Sequence, residues 1–433
     1  MISETSKNEG KKVKIQGFVH LVRAHGKIAF ADIYDRSGIL QVVGGEEVAN
    51  LRPQYVVEIE GTVNLRPEKM VNDKIETGKI ELSVEKVTVL SVSEEMPFDM
   101  GGEELNLELP TLLDYRTLTL RHPKVKEIFK VQAAVAEGFR NAAIELGCTE
   151  IFVPTISASA TEGGAEVFKV DYYDHKAFMT QSPQLYKQMM VPVFERVFTI
   201  AKAYRAEPSV TTRHLSEATQ MDCELGFVTF EELLDALEFV GSKTLKNVEE
   251  KCEKILEDYG VPKLQIPVKI PRLTMREAQK IILKRTRVDH TSEKDLDPED
   301  EKEICKWALE EKGSDLVTIT HYPTKKRAFY TKADPKDPEY SLSYDLLFRG
   351  LEILSGSQRV NEYKDLTTVI KDRGMDPKNF EMYLQAFKYG MPPEGGFSFG
   401  LERMTMKLLD LGNVREASLF PRDMERVDFR LSK

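Results

Sequence analysis

The sequence has few cysteines and no long apolar run. Its 433 residues include four cysteines, at positions 148, 223, 252 and 305, and no two of them form a Cys-x-x-Cys pair. This distribution gives no support to a zinc site or a disulfide framework, so free thiols are expected. The N-terminus is polar, without the apolar core of a signal peptide, and no apolar run is long enough to span a bilayer. These absences predict a soluble, cytoplasmic protein with no membrane partner.

An excess of positive charge is also lacking. The formal net charge is −10 at pH 7, from 61 Lys and Arg against 71 Asp and Glu, which argues against a broadly basic nucleic-acid coat. A local basic face can still exist in an acidic protein, so an RNA partner is not excluded. The chain is too long for a single small core and suggests two or three domains.

Short strands separated by turns dominate residues 12–92. Apolar and polar residues alternate within them, and the predicted strands span residues 13–19, 27–34, 38–44, 54–65 and 80–90. Five strands in so short a segment indicate a small barrel; the OB-fold is the commonest five-stranded solution, and other small barrels stay open. Phe30 and Gln41 could stack on and hydrogen-bond to an unpaired base, although the pattern alone favours a core position for Phe30.

A connector with glycines and acidic residues follows at 96–110 and marks a domain boundary. We therefore assign residues 1–95 to the barrel, 96–122 to a hinge and 123–433 to a second domain with a helical elaboration around 229–312. Residues 123–146 have apolar side chains at helical spacing, which predicts a long helix, and a short strand follows at 150–154. The dense charge at 292–303 is typical of a solvated surface, and no chemistry is assigned to it.

Two strand-like runs within residues 198–225 predict a hairpin with a charged mouth. The loop between them holds Arg205, Glu207, Arg213 and His214, and the second run carries three carboxylates, Glu217, Asp222 and Glu224. Concentrating arginines and carboxylates on one face is unfavourable unless the charges meet a charged ligand. A solvated hairpin with surface ion pairs is the alternative.

Three further segments carry residues suited to ligand binding. Asp345 and Glu352 lie on strand-like segments dominated by apolar residues, which indicates either a magnesium site or an arginine partner. A glycine-rich stretch at 395–400 precedes a helix that holds Arg403, a weak phosphate-binding signal that matches neither the P-loop nor the dinucleotide pattern. The small-residue loop 157–164 contains Glu162 and could close over a ligand.

Three of these stretches resemble the signature motifs of class II aminoacyl-tRNA synthetases, in matching order and spacing. The helix and strand ending at Pro154 resemble motif 1, Tyr204-Arg-Ala-Glu207 through Glu224 resembles motif 2, and Gly400-Leu-Glu-Arg403 resembles motif 3. The resemblance covers nearly the whole chain. It implies an α+β fold, with an N-terminal OB-fold β-barrel that binds the anticodon and a catalytic domain built on an antiparallel β-sheet flanked by helices.

Within this class, other stretches are similar to the archaeal-type aspartyl-tRNA synthetases. They are Thr161-Glu-Gly-Gly164, Gln181-Ser-Pro-Gln-Leu-Tyr-Lys187 and Ser355-Gly-Ser-Gln-Arg359. This resemblance implies ATP-dependent activation of L-aspartate and its transfer to the 3′ end of tRNA-Asp, with Mg²⁺ at the phosphates.

The resemblance also implies roles for the nucleotide-binding residues. Arg205 would bridge the α-phosphate and the substrate carboxylate, and Arg403 would clamp the γ-phosphate. The other contacts would come from Glu207 at the adenine amino group, Arg213 and His214 at the distal phosphates, and Asp345, Glu352 and Ser355 at Mg²⁺.

For aspartate, the resemblance implies a pocket with cations at one end and acceptors at the other. Arg359 and Lys187 would bind the side-chain carboxylate, and Gln184, Asp222 and Glu162 would hold the ammonium. Asparagine would leave the cations partly unpaired, a mismatch of the kind that gives strong discrimination.

In the barrel, the resemblance implies that Phe30 and Gln41 stack on and read anticodon bases. His20 stands where tRNA-Asp-specific archaeal enzymes carry tryptophan, which favours an enzyme that also charges tRNA-Asn. Ala218 stands where bacterial and eukaryotic relatives carry a phenylalanine that stacks on adenine, so another group, such as His214, is needed for that contact. Motif 1 elements further imply a homodimer.

Two alternatives stay open at this point. An asparaginyl-tRNA synthetase shares the fold and the motifs, although Gln184-x-x-Lys187 argues against it because a neutral amide does not call for a lysine. The other alternative is a catalytically silent paralogue that binds RNA or a regulatory partner through the barrel. The presence of all candidate ATP and metal residues argues against that reading.

Overall fold

The structure, a computed structural model, describes residues 1–73, 75–102, 104–158, 166–208 and 211–431. They form two compact units, Met1–Leu107 and Glu108–Lys433. The boundary between the units falls within residues 96–122, and short helices after it belong to the second unit. Among the described residues, no helix is both long enough and apolar enough to cross a membrane.

The first unit is the predicted five-stranded barrel, and it is closed. Its elements are β1 (Lys12–His25), β2 (Ile28–Asp35), β3 (Gly38–Gly44), α1 (Glu46–Ala49), β4 (Val56–Leu65) and β5 (Ile80–Ser91). The strands run in the order β1-β2-β3-β5-β4. Successive side chains of a strand point alternately into and out of the barrel. In β4, Val57 and Ile59 are fully buried in the interior, whereas Glu58 between them is partly exposed.

The second unit is an α+β domain. Its helices are α2 (Leu109–Asp114), α3 (Arg116–Thr119), α4 (Pro123–Glu145), α5 (Gln184–Met189), α6 (Val191–Phe194), α7 (Phe230–Asp258), α8 (Met275–Thr286), α9 (Pro298–Lys312), α10 (Tyr363–Asp372), α11 (Glu381–Lys388) and α12 (Leu401–Leu408). Its strands are β6 (Thr149–Glu150), β7 (Ile156–Ser157), β8 (Lys169–Tyr172), β9 (His175–Met179), β10 (Arg196–Tyr204), β11 (Glu217–Gly226), β12 (Arg272–Thr274), β13 (Leu316–Thr320), β14 (Ala333–Asp334), β15 (Asp337–Ser341), β16 (Ser343–Phe348), β17 (Leu351–Gln358) and β18 (Glu394–Gly400).

Eight of these strands form one sheet in the order β12-β13-β16-β17-β18-β11-β10-β6. The predicted antiparallel sheet is confirmed for the six central strands, and a parallel pair lies at each edge, β12–β13 and β10–β6. Helices α4 and α7 share the main core with one face of this sheet. Phe139 of α4 contacts both Phe198 and Phe399, with ring centroids 6.1 Å apart in each pair.

The opposite face of the sheet carries polar side chains, because strand residues alternate between the two faces. In β11, Met221 and Cys223 belong to the core, so Asp222 between them points the other way. The strand register aligns Asp222 with Ser398 of β18, Ser398 with Ser355 of β17, and Ser355 with Asp345 of β16. One row of polar residues therefore crosses four strands.

Candidate active site

The predicted hairpin is confirmed, and it opens onto the polar face of the sheet. Strands β10 and β11 pair antiparallel from Arg196↔Leu225 to Tyr204↔Glu217. Arg205 follows β10 directly and is exposed. Its guanidinium makes no hydrogen bond or ion pair with any residue that the structure describes.

Two adjacent cavities lie on the polar face. The larger has a volume of about 330 Å³ and the smaller about 220 Å³. They share four lining residues, Arg205, Gln220, Ser355 and Ser398. This arrangement suits two ligands whose reacting groups meet beside Arg205.

Four buried charges form an ion network beneath the smaller cavity. Nζ of Lys187 lies 2.7 Å from Oδ1 of Asp222 and 3.1 Å from Oε2 of Glu224. Nε of Arg359 donates to Oε1 of Glu224 at 2.8 Å. The four side chains are at most 4% exposed, and their two positive and two negative charges balance. Balance matters because a buried charge without a partner is strongly destabilising.

The network also sets the ionisation of its members. Burial would raise the pKa of Glu224, but Arg359 and then Lys187 outweigh burial and hold that pKa at about 2. Burial would lower the pKa of Lys187, but Asp222 and Glu224 outweigh it and raise that pKa. Both groups are therefore ionised at neutral pH.

The structure brings the predicted amino-acid-binding residues together. Gln184, Lys187, Asp222 and Arg359 all line the smaller cavity. Oε1 of Gln184 accepts from Nη2 of Arg359 at 3.3 Å, which ties the start of α5 to the end of β17. The fifth predicted member, Glu162, lies outside the described residues.

Two glutamates beneath this cavity received no role from the sequence, Glu224 and Glu394. Both are fully buried. Burial, and then the charge of Glu224, raises the pKa of Glu394 well above its usual value, which favours the neutral, protonated form of this carboxyl. Nε2 of Gln188 donates to Oε1 of Glu394 at 2.7 Å. Alternation along β11 could have indicated a role for Glu224, two residues after Asp222, whereas no local pattern marks Glu394.

The glycines at the start of β18 make room for this network. A Cβ atom on Gly396 would lie 2.2 Å from Oε2 of Glu224 and 2.1 Å from the carbonyl oxygen of Cys223. The Gly396 carbonyl accepts from Nη2 of Arg359 at 3.0 Å. Gly396 lies in the glycine-rich stretch that was a weak phosphate-binding signal in the sequence. In the structure it contacts Glu224 and Arg359 beneath the smaller cavity.

The larger cavity gathers most of the predicted ATP-binding residues. Arg205, Arg213, His214, Glu352 and Arg403 line it together with Ala218, and Glu207, which is exposed, does not. Burial, and then the positive charge of Arg403, lowers the pKa of His214. The imidazole is therefore neutral at pH 7, so it can contact a phosphate only as an N–H donor and not as a cation.

Arg213 is held by a residue that the sequence placed on a solvated surface. Nη1 of Arg213 lies 3.0 Å from Oε2 of Glu301 on α9, and the two side chains are 21% and 13% exposed. The prediction that residues 292–303 form a solvated surface is therefore wrong for Glu301, whose side chain is largely buried against Arg213. The partners are 88 positions apart, so no local pattern connects them.

Asp345 and Glu352 both meet arginines, and one carboxylate oxygen is left over. Arg327 donates to Oδ2 of Asp345 at 2.6 Å and to Oγ of Ser355 at 3.1 Å. Oδ1 of Asp345 is buried and has no hydrogen-bond partner in the described part of the chain. Burial, and then the charge of Asp345, raises the pKa of Glu352. An unpaired carboxylate oxygen near a second carboxylate fits a divalent cation with oxygen ligands.

Comparison with known proteins assigns this arrangement to a family. Residues 108–424 match the model of the tRNA synthetases class II (D, K and N), and residues 13–90 match that of the OB-fold nucleic acid binding domain. The chain belongs to the class II tRNA synthetases. The barrel of the synthetase is thus an OB-fold, and the family uses ATP, as predicted.

Among the similar proteins, some are named as aspartate–tRNA ligases and others as asparaginyl-tRNA synthetases. The aspartate–tRNA(Asp/Asn) ligase of Thermus thermophilus is 40% identical over 99% of both chains. The aspartate–tRNA(Asp) ligase of Pyrococcus horikoshii is 40% identical over 98% of this chain and 97% of its own. The crystal structure of asparaginyl-tRNA synthetase from Pyrococcus horikoshii, complexed with asparaginyl-adenylate, has a TM-score of 0.89 and 31% identity over 97% of each chain.

The predicted anticodon residues of the synthetase lie on three neighbouring strands of the barrel. Phe30 of β2 is partly exposed rather than in the core. Gln41 of β3 is 9% exposed and its Nε2 donates to Oε2 of Glu81 at 3.1 Å. His20 of β1 meets the ring of Tyr34 edge-on, with ring centroids 6.1 Å apart.

We predict that Glu394→Gln stabilises the synthetase at high pH and not at low pH. The raised pKa means that the folded protein keeps a proton that the unfolded chain loses above about pH 4.3. The stability that this proton contributes is complete below that pH. It then falls by up to about 1.4 kcal/mol per pH unit as the pH rises toward the folded pKa. Glutamine keeps the shape of the protonated carboxyl, and its NH₂ group replaces the O–H donor without depending on pH.

Thermal unfolding at pH 5 and pH 8 measures this effect. We expect the midpoints of Glu394→Gln and the parent to differ little at pH 5, where at most about 1 kcal/mol has been lost, and the variant to have a clearly higher midpoint at pH 8. Glu250→Gln, at an exposed position of α7, is the control and should gain nothing at either pH. Equal midpoints for Glu394→Gln and the parent at pH 8 would show that Glu394 is not protonated there.

Arg359→Ala is expected to destabilise the fold by about 3 kcal/mol, because it leaves the buried Glu224 with Lys187 as its remaining cation. Adding Glu224→Gln should recover part of this loss by removing the underpaired charge. Arg205→Ala should leave stability nearly unchanged. Denaturant unfolding measures all three variants, and an equal loss for Arg205→Ala and Arg359→Ala would contradict the described network.

Proposed function

We propose that the synthetase is an aspartate–tRNA ligase, which activates L-aspartate with ATP and transfers it to tRNA-Asp and also to tRNA-Asn. The observation that carries this proposal is the pair of cations, Lys187 and Arg359, beneath the smaller cavity. Both side chains are hydrogen-bond donors only. A carboxylate can accept hydrogen bonds from both side chains. The side-chain NH₂ group of asparagine is itself a donor, so it could not form a hydrogen bond with either of them.

The acceptors of the same cavity suit the substrate ammonium. Oδ2 of Asp222 accepts from Oγ of Ser398 at 3.0 Å, and a carboxylate retains further lone pairs for an N–H donor. Asp222, Gln184 and Glu162 would hold the ammonium.

The two cavities support attack of the substrate α-carboxylate on the α-phosphate of ATP. That carboxylate is already ionised, so no general base is needed, and catalysis rests on orientation and charge neutralisation. Arg205, which lines both cavities, would contact both reacting groups. Arg213 and His214 would bind the distal phosphates and Arg403 the γ-phosphate. The adenine amino group would donate to Glu207.

Asp345 and Glu352 would hold Mg²⁺, with Ser355 nearby. When bound, the ion would neutralise charge on the phosphates. Arg327 engages one oxygen of Asp345, which fixes that carboxylate while leaving its other oxygen for the ion.

ATP–pyrophosphate exchange, measured separately with aspartate and with asparagine, tests the choice of amino acid. We expect exchange with aspartate and a rate about 10⁴-fold lower with asparagine. Arg205→Ala should lower exchange with aspartate by about 10³-fold, because charge on the reacting phosphate loses its arginine.

Each other outcome identifies a different protein. Exchange with asparagine alone would make this an asparaginyl-tRNA synthetase, as its likeness to the Pyrococcus horikoshii structure allows. No exchange by the unmodified chain with either amino acid would favour an RNA-binding paralogue.

We also propose that the barrel, residues 1–95, binds the anticodon and joins a catalytic domain, residues 123–433, through residues 96–122. Phe18 and Tyr34 stack with ring centroids 5.3 Å apart, and His20 adjoins Tyr34. Aromatic side chains on a barrel surface are suited to stacking on unpaired bases. Phe30 would stack in the same way, and the amide of Gln41 would read a base edge.

His20→Trp should narrow the choice of tRNA. We expect the parent to charge transcripts of both tRNA-Asp and tRNA-Asn with labelled aspartate. The variant should lose at least about ten-fold with tRNA-Asn, since one ill-fitting base contact amounts to about 1.4 kcal/mol or more. A parent that charges tRNA-Asp alone would refute the broad specificity. Unchanged charging of tRNA-Asn by His20→Trp would remove His20 from this role.

We further propose a homodimer that uses α4 and the segment after it. Ile144 and Phe152 are 56% and 89% exposed there, and exposed large apolar side chains suit an interface. Light scattering that gives a monomer at micromolar concentration would contradict this assembly.

ATP, aspartate and tRNA occur together in the cytoplasm, and we propose that the protein is located in that compartment.

A further inference from the structure

A cavity in the second unit, separate from the candidate active site, is larger than either active-site cavity. It has a volume of about 710 Å³, within the range of about 300–1,000 Å³ typical of small-molecule pockets. None of its lining residues lines the two cavities of the active site. Helix α9, the segment after α7, the turn between β16 and β17, and the end of α12 form its walls.

One wall of this cavity is a stripe along α9. Lys302, Cys305, Lys306 and Leu309 line it, at the spacing of residues that share one helix face. Leu309 is 46% exposed, so an apolar side chain stands on the cavity wall within reach of solvent. Val261 and Pro262 add further apolar surface from the segment after α7.

Positive charge is in excess on the cavity walls. The cationic lining residues are Lys263, Lys302, Lys306, Arg349 and Lys407, against two carboxylates, Asp315 and Asp410. Arg349 is already engaged, because Nη2 lies 3.0 Å from Oδ2 of Asp315. Four ammonium groups thus remain against one carboxylate.

Other ion pairs do not cancel this excess. Lys302 and Lys306 meet Glu299 and Glu310 at 2.7 Å and 4.0 Å, and these partners are 79% and 48% exposed. Exposed pairs of this kind contribute little and exchange readily with water. Burial lowers the pKa of Lys407, which is what a partly desolvated ammonium without sufficient negative partners shows.

We propose that this cavity binds an organic anion of about mononucleotide size, with its apolar part against Val261, Pro262 and Leu309 and its acidic group among Lys302, Lys306 and Lys407. Neither feature alone would select such a ligand. The apolar wall favours a ring or chain, and the ammonium groups require a phosphate, sulfonate or carboxylate on it. The site does not depend on the proposed aminoacylation activity.

Binding of 8-anilinonaphthalene-1-sulfonate, an apolar ring system with one anionic group, tests the proposal on the full chain. Arg205→Ala, which changes a residue shared by both active-site cavities and absent from this one, should leave probe affinity unchanged if the probe binds outside the active site. We expect saturable fluorescence enhancement with one probe per chain. Lys302→Glu with Lys306→Glu should weaken binding at least about ten-fold, since two attractive charges become repulsive.

Three controls make each result decisive. Lys364→Glu with Lys371→Glu on α10 changes the net charge equally at exposed positions and should leave probe affinity unchanged. The neutral analogue N-phenyl-1-naphthylamine should bind at least about ten-fold more weakly than the sulfonate. Leu309→Trp, at an exposed position that tolerates a larger ring, should weaken binding because the indole takes up space on the apolar wall where the probe's rings would lie, and this variant remains informative even if the double lysine variant does not fold.

The proposal is overturned by any of three results. These are unchanged sulfonate affinity in Lys302→Glu/Lys306→Glu or in Leu309→Trp, an equal loss in Lys364→Glu/Lys371→Glu, and equal affinity for the neutral analogue.

Discussion

The balanced ion network beneath the smaller cavity is the constraint on which the rest of the site depends. Lys187, Asp222, Glu224 and Arg359 are nearly inaccessible to water, and each would be strongly destabilising without the others. Their mutual contacts fix the two cations in place before any substrate arrives. A substrate carboxylate would therefore meet oriented donors, and little reorganisation would accompany binding.

The same network explains several local features of the sheet. Two carboxylates can stand on one face of β11 because they are two residues apart. Gly396 supplies the space that Glu224 occupies. Glu394 can be buried beside Glu224 because protonation removes its charge. Gly396 therefore provides the space for the Glu224 side chain. Protonation of Glu394 allows a further acidic side chain to be buried there without adding a negative charge.

How much of this could be predicted depended on the distance between partners along the chain. The hairpin pattern placed Asp222 on its second strand, because that information lies within a few residues, and the family resemblance supplied its role. The contacts of Arg213 with Glu301 and of Arg327 with Asp345 join segments 88 and 18 residues apart, and no periodicity signals them. The protonation of Glu394 is still less accessible, since it follows from burial and from a neighbour on another strand. For Asp345, the sequence offered a cation or an arginine. The structure shows Arg327 on one carboxylate oxygen, and no described residue hydrogen-bonds to the other oxygen.

The charged segment at residues 292–303 shows why composition alone gave a wrong prediction of solvent exposure. Helix α9 has Glu299, Asp300 and Glu301 in its first turn, where the helix dipole favours acidic side chains. This pattern is typical of a solvent-exposed helix. Yet α9 turns Glu301 toward Arg213 of the larger cavity, and Lys302 and Lys306 toward the separate cationic cavity. Charge density along a helix therefore does not measure its exposure. Adjacent residues on one helix can face two different sites, because each step turns the side chain by about 100°.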